Sequence, residues 1–111
     1  MSLKQKIQED SNRATKEKNV FKILVLRMLL AAILNKEKEK RYNLTKTKPE
    51  LFEEELKKES QLTDEETTQI ISFEIKTRED SISEFEKGKR EDLAEKEKNE
   101  IEILKEYFNV Q

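Results

Sequence analysis

Between Val20 and Leu34 the chain reads VFKILVLRMLLAAIL, an apolar run interrupted only by Lys22 and Arg27. At 15 residues it is shorter than the about 20 that a bilayer-spanning helix needs. It also lacks the cationic lead-in of a secretory signal, since Glu9, Asp10 and Glu17 precede it. Apolar side chains cover nearly every face of a helix built from this run, and such a helix is normally enclosed by others. The run is therefore read as the central helix of a bundle, in a cytoplasmic protein with no membrane contact. The rest of the chain suits solvated helices: 43% of its 111 residues are charged, with one glycine and one proline. Without histidine or cysteine there is no imidazole or thiolate for a zinc site, a disulfide or the usual acid–base pair. Gly88 alone cannot write a phosphate-cradling loop, which needs several glycines for close backbone approach. No catalytic residue, metal ligand or cofactor is assigned.

The fold class expected is all-α, a long-helix bundle of about four helices near Ser2 to Lys18, Val20 to Arg41, Thr63 to Lys87 and Arg90 to Phe108. Leu3, Ile7 and Ala14 place one apolar stripe on the first helix. Residues 42–61 read as an inserted connection. Within it, Lys48-Pro49-Glu50-Leu51 resembles a helix start with proline at the first helical position, where its missing donor costs nothing. A short helix over Glu50 to Ser60, anchored by Leu51, Phe52 and Leu56, is expected there, although EEELKKES is polar enough to stay solvated as a mobile insert. Thr63-Asp64-Glu65-Glu66 has the capping-box pattern. The helix it opens turns Ile71, Ile75, Arg78, Ile82 and Phe85 inward, and Gly88 should end it in the left-handed conformation. Glu91 and Asp92 open the last helix, whose stripe is Leu93, Ile101, Leu104 and Phe108. The last two long helices thus form a hairpin with a polar seam. Counting from Gly88 places the residue opposite Arg78 near Lys98, which ranks Glu97 and Glu100 ahead of Asp92 as its partners.

Charge is divided unevenly. Met1 to Lys48 holds 13 basic and 5 acidic residues, while Pro49 to Gln111 holds 10 basic and 20 acidic. Such a dipole either offers a basic surface to a polyanion or glues one half of the chain to the other. The densest basic stretch is Lys36, Lys38, Lys40 and Arg41, continued by Lys46 and Lys48. Read as solvent-pointing side chains, the first four form the preferred phosphate contact, with Tyr42 as the one stacking candidate. The plainer reading is cations at the negative end of a helix, diluted by Glu37 and Glu39. Lys87, Lys89 and Arg90 form a secondary basic turn, for which helix capping is the stronger reading.

Three stretches carry a family likeness: LKQKIQED from Leu3, VLRMLLAAILNKEKEKR from Val25, and ISEFEKGKREDLAEKEKNEIEILKEY from Ile82. Through them the chain resembles the YqeY-like family, relatives of the tail of the B subunit of aspartyl/glutamyl-tRNA amidotransferase. The resemblance implies an all-α accessory role in tRNA-dependent amidation, a carbon–nitrogen ligation with glutamine as amide donor, and it brings no catalytic residue onto this chain. It implies tRNA or an amidotransferase subunit as partner. Family members typically continue into a leucine–proline step and a small C-terminal helical subdomain, whereas here Tyr107 is followed by Phe108-Asn109-Val110-Gln111. Residues 1–111 accordingly read as a single N-terminal helical domain of the family type, with that subdomain absent. The alternative function is a protein–protein interaction module that docks a partner subunit and binds no nucleic acid.

Overall fold

The structure, a computed structural model, describes residues 1–108; the expectation for the chain after Phe108 lies outside them. The elements are α1 (Leu3–Lys16), α2 (Val20–Thr47), α3 (Glu53–Glu59), α4 (Asp64–Lys87) and α5 (Glu91–Lys105), with no strand among the described residues. The described residues are all-α with five helices: the four long ones and, inside the connection, the short helix α3, which covers Glu53–Glu59 of the expected Glu50 to Ser60. Two antiparallel hairpins, α1–α2 and α4–α5, pack into a body of 55 × 33 × 22 Å.

Local chemistry sets most of the boundaries. Ser2 caps α1, accepting from the Gln5 N–H, while the Gln5 side chain accepts from the Ser2 N–H. Thr63 and Glu66 form the same reciprocal box at α4. Pro49 does not open a helix. It occupies a turn closed by the Leu51 N–H on the Lys48 carbonyl at 3.2 Å, and α3 starts later, after an extended Phe52. Phe52 is exposed rather than an anchor, leaving Leu51 and Leu56 half-buried. Upstream, α2 continues six residues past Arg41, because nothing before Lys48-Pro49 breaks it.

Both hairpin turns end their first helix in the same way. At α4 the Lys89 N–H bonds the Glu86 carbonyl at 3.1 Å and the Arg90 N–H bonds Phe85 at 2.8 Å. At α1 the Lys18 N–H bonds Thr15 at 3.2 Å and the Asn19 N–H bonds Ala14 at 3.0 Å. This paired closure requires a left-handed residue one position past the cap. Lysine fills it each time, at Lys18 and Lys89 with φ 58, while Gly88 sits at φ −83. The expectation that Gly88 is the left-handed cap is therefore corrected by one residue.

Leu3 and Ile7 of α1, Val25, Leu26, Leu29 and Ile33 of α2, Leu62 ahead of α4, Ile71 and Ile75 of α4, and Ile101, Leu104 and Tyr107 form the core. Toward Gly88 the α4–α5 hairpin has mainly its own residues to bury: Ala94 is enclosed, while Ile82, Phe85 and Leu93 are half-exposed. Two apolar expectations change. The stripe of α5 closes on Tyr107, 1% exposed, and not on Phe108. After Lys105 the backbone tightens to three-residue bonds, with the Tyr107 N–H on Leu104 at 3.2 Å, and in that geometry residues three apart eclipse. The central run is not enclosed either. Val20, Leu24, Met28 and Leu34 are exposed on the side of α2 opposite the core.

Candidate functional site

The basic stretch of α2 does not converge on one surface. At about 100° per residue, Lys36 and Lys40 share a face, Lys38 points nearly the opposite way and Arg41 falls between. Their partners differ accordingly. Lys40 Nζ lies 2.8 Å from Glu66 Oε1 and 3.1 Å from the Gln61 carbonyl oxygen. Arg41 Nε donates to Ser60 Oγ at 3.2 Å, and Ser60 is fully buried. Lys36 pairs with Glu39 at 3.2 Å, in solvent. Lys38 is exposed, with no polar partner among the described residues. Only Lys36 and Lys38 point into solvent as expected; Lys40 and Arg41 are half-buried and tie down the end of the connection.

The centre of this clasp is a residue that sequence reasoning treated as a dilution. Glu37 is buried, receives Lys4 Nζ at 2.9 and 3.1 Å on its two oxygens, and accepts the Leu62 N–H at 3.2 Å. A buried carboxylate survives only when paired and hydrogen-bonded, and these three contacts meet that condition. Glu66 is held below the usual carboxylate range first by its hydrogen bond from Lys40, then by the Thr63 N–H. Asp64 completes the join, accepting the Leu3 N–H at 2.9 Å and so satisfying a donor in the first turn of α1.

Beyond the clasp α2 presents Lys38, Tyr42 and Lys46, spaced four residues apart and all exposed. Lys46 Nζ sits 4.6 Å from the centroid of the Tyr42 ring. Lys48 turns away to Glu59 at 3.4 Å. The row thus puts two cations around one exposed aromatic ring, an arrangement able to meet phosphate oxygens and a base. The i, i+4, i+8 spacing was the signal available for it; density of charge picked Lys40 and Arg41 instead.

The secondary turn is spread out. Lys87 pairs with Glu84 at 3.6 Å and Arg90 chelates Asp92 through two 3.2 Å bonds, leaving Lys89 exposed in its left-handed conformation. Asp92 is thereby engaged with Arg90, not with Arg78. In the seam, Arg78 is 6% exposed, with Nε 3.3 Å from Glu100 and 3.9 Å from Glu97. Its Nη1 donates to the Glu74 carbonyl at 3.0 Å and lies 3.5 Å from the Glu74 carboxylate, partners one turn back on the same helix. Burial, and then the hydrogen bond and charge of Glu100, push Glu97 above the usual carboxylate range. A second buried polar link, absent from the sequence reading, joins the ends of the fold: Tyr107 OH donates to Asp10 Oδ2 at 2.8 Å. Asp10 continues the Leu3–Ile7–Ala14 stripe at its vacant heptad position, which is the sequence signal for its burial.

The arrangement offers binding surfaces. A groove of about 500 Å³ between α2 and α4 is lined by Ala32, Asn35, Ile70 and Phe73, and its carboxylates Glu39, Glu66 and Glu74 are already engaged by Lys36, Lys40 and Arg78. Among the described residues no metal-binding group of carboxylates converges, and no helix is long and apolar enough to cross a membrane.

Residues 35–111 match the sequence profile of the Yqey-like protein family, so the chain belongs to the YqeY-like family. Over 33 residues, 30% of the chain, it is 67% identical to altered inheritance of mitochondria protein 41, a mitochondrial protein of Kluyveromyces lactis. The match spans 18% of that relative's length.

Proposed function

We propose that this YqeY-like chain is a non-catalytic accessory module of glutamine-dependent tRNA amidation, and that it touches the tRNA through the free end of α2. The observation that carries the reading is the Lys38–Tyr42–Lys46 row, exposed on a helix whose other face is anchored in the core. Two lysines neutralise phosphates with salt-sensitive affinity, and Tyr42 supplies a face for an unpaired base. Lys36 stands at the edge of this surface. Lys40 and Arg41 contribute by holding the helix in place. The amidation chemistry belongs to other protein domains, which this module would help to engage tRNA.

The test is a titration of total tRNA at two salt concentrations. Wild type should bind with a steep salt dependence. K38Q/Y42A/K46Q should weaken binding for all tRNAs alike and flatten the salt slope by roughly two. An absence of tRNA affinity at low salt removes the reading. The relative's name places that protein in mitochondria. Carried over, it sets the chain in the organelle rather than in the cytosol read from its acidic lead-in, and fractionation of the tagged protein decides between them.

A further inference from the structure

We propose that the outward face of α2 from Val20 to Leu34 docks an amphipathic helix of a partner protein whose apolar ridge is bordered by carboxylates. Val20 is 64% exposed, Leu24 56%, Met28 52% and Leu34 49%. With exposed Ala31 they fall in a sector about 120° wide, running about 21 Å along the helix. The opposite face, Val25, Leu26, Leu29 and Ile33, already supplies this helix's share of the core, and the described residues leave the outer row half or more exposed. Four turns of apolar surface, one helix wide and with the small Ala31 in it, suit a second helix lying alongside.

Charge selects the partner. Between Val20 and Leu34, the length of the apolar row, Arg27 is the one charged residue exposed on α2. Arg27 stands inside the apolar row, exposed and without a polar partner among the described residues. A glutamate or aspartate beside the partner's ridge would meet it. A second copy of this face would instead set cation against cation. The surface lies N-terminal to Tyr42 and Lys46, and the inference is independent of tRNA binding.

Three labelled synthetic helices of about 18 residues, five turns, provide the test on the full chain. One has a leucine ridge with glutamate borders, one the same ridge with lysine borders, and one glutamate borders with a serine ridge. The first alone should bind saturably. Leu24→Asp and Met28→Asp should each weaken that binding at least about tenfold, with helicity unchanged because both positions are exposed. Arg27→Glu should lose the glutamate-bordered helix and gain the lysine-bordered one. The proposal fails if no helix binds, if both leucine ridges bind equally, or if binding survives Met28→Asp. It fails too if Leu24→Asp abolishes self-association of the wild type, or its sedimentation with anionic vesicles, which would make a second copy or a lipid surface the occupant.

Discussion

Replacing Gly88 with alanine should stabilise this protein, although a glycine just past a helix normally resists substitution. The backbone at Gly88 is right-handed, φ −83 and ψ 4, so a β-carbon brings no conformational penalty. Built there, it meets the Glu84 carbonyl oxygen at 3.5 Å and that of Phe85 at 3.7 Å, both ordinary contact distances. What remains is the loss of freedom in the unfolded chain, worth about 0.4–1 kcal/mol in favour of the fold. For a domain of this size that raises Tm by about 2–6 °C. Lys89 is the complementary case. Its φ of 58 costs a non-glycine residue about 1–2 kcal/mol, and Lys89→Gly returns this against about 0.5–1 kcal/mol of added unfolded-state entropy. Both variants should therefore melt above wild type by circular dichroism, with unchanged urea m-values. A fall in Tm for Gly88→Ala would mean that Gly88 takes the left-handed conformation in solution, and the assignment of the cap to Lys89 would be wrong.

Ile33→Ala, at a fully buried position, should cost about 2–5 kcal/mol, whereas Met28→Ala on the exposed row of the same helix should stay within about 0.5 kcal/mol; equal losses would show that the outer row is core. A double-mutant cycle of Asp10→Asn and Tyr107→Phe should return a coupling of about 1.5–3 kcal/mol, the range for a hydrogen bond to a charged group. Burial raises the Asp10 carboxyl, but hydrogen bonds from Lys6 and Tyr107 and the charges of Lys6 and Arg13 outweigh it, so its folded value lies below the usual 3.8. Its stabilisation is complete above that value and is lost as pH falls through the folded one, so Asp10→Asn should flatten the acid limb of the stability curve and leave the neutral region parallel to wild type. Lys40→Gln with Arg41→Gln should loosen the join of α3 to α4 by about 1–2 kcal/mol and speed amide exchange at Leu62, and unchanged exchange would return these side chains to solvent.

Where the sequence was legible, one local interaction decided the structure. The Thr63–Glu66 box needs only four residues, and the proximity of Arg78 to Glu97 and Glu100 follows from counting outward from a turn whose position is marked by Gly88. What could not be read depended on the geometry of a single turn or on a partner far along the chain. A glycine marks the turn without saying which of its residues is left-handed. Tyr107 and Phe108 are adjacent aromatics, and only the tightening of the last turn chooses Tyr107 for the core. The uniform apolarity of Val20 to Leu34 conceals a division that packing imposes, because α1, α4 and α5 cover one side of α2 and leave the other open.

The same limit governs reading a binding site from charge. A lysine on a helix looks alike in sequence whether it meets solvent or a carboxylate contributed from elsewhere in the chain. In this molecule Lys22–Glu106, Lys40–Glu66 and Lys48–Glu59 each join the basic half to the acidic half, so part of the dipole is used in holding the two together. Those pairs remove Lys40 and Lys48 from the densest basic stretch, and Ser60 engages Arg41. Cations available to a partner are the ones this internal pairing leaves over, and on α2 the unpaired ones turned from the body are Arg27, Lys38 and Lys46. Arg27 stands among exposed leucine and methionine while Lys46 lies over an exposed tyrosine ring. One helix face therefore presents two different kinds of surface along its length, an apolar one near its start and an aromatic–cationic one near its end.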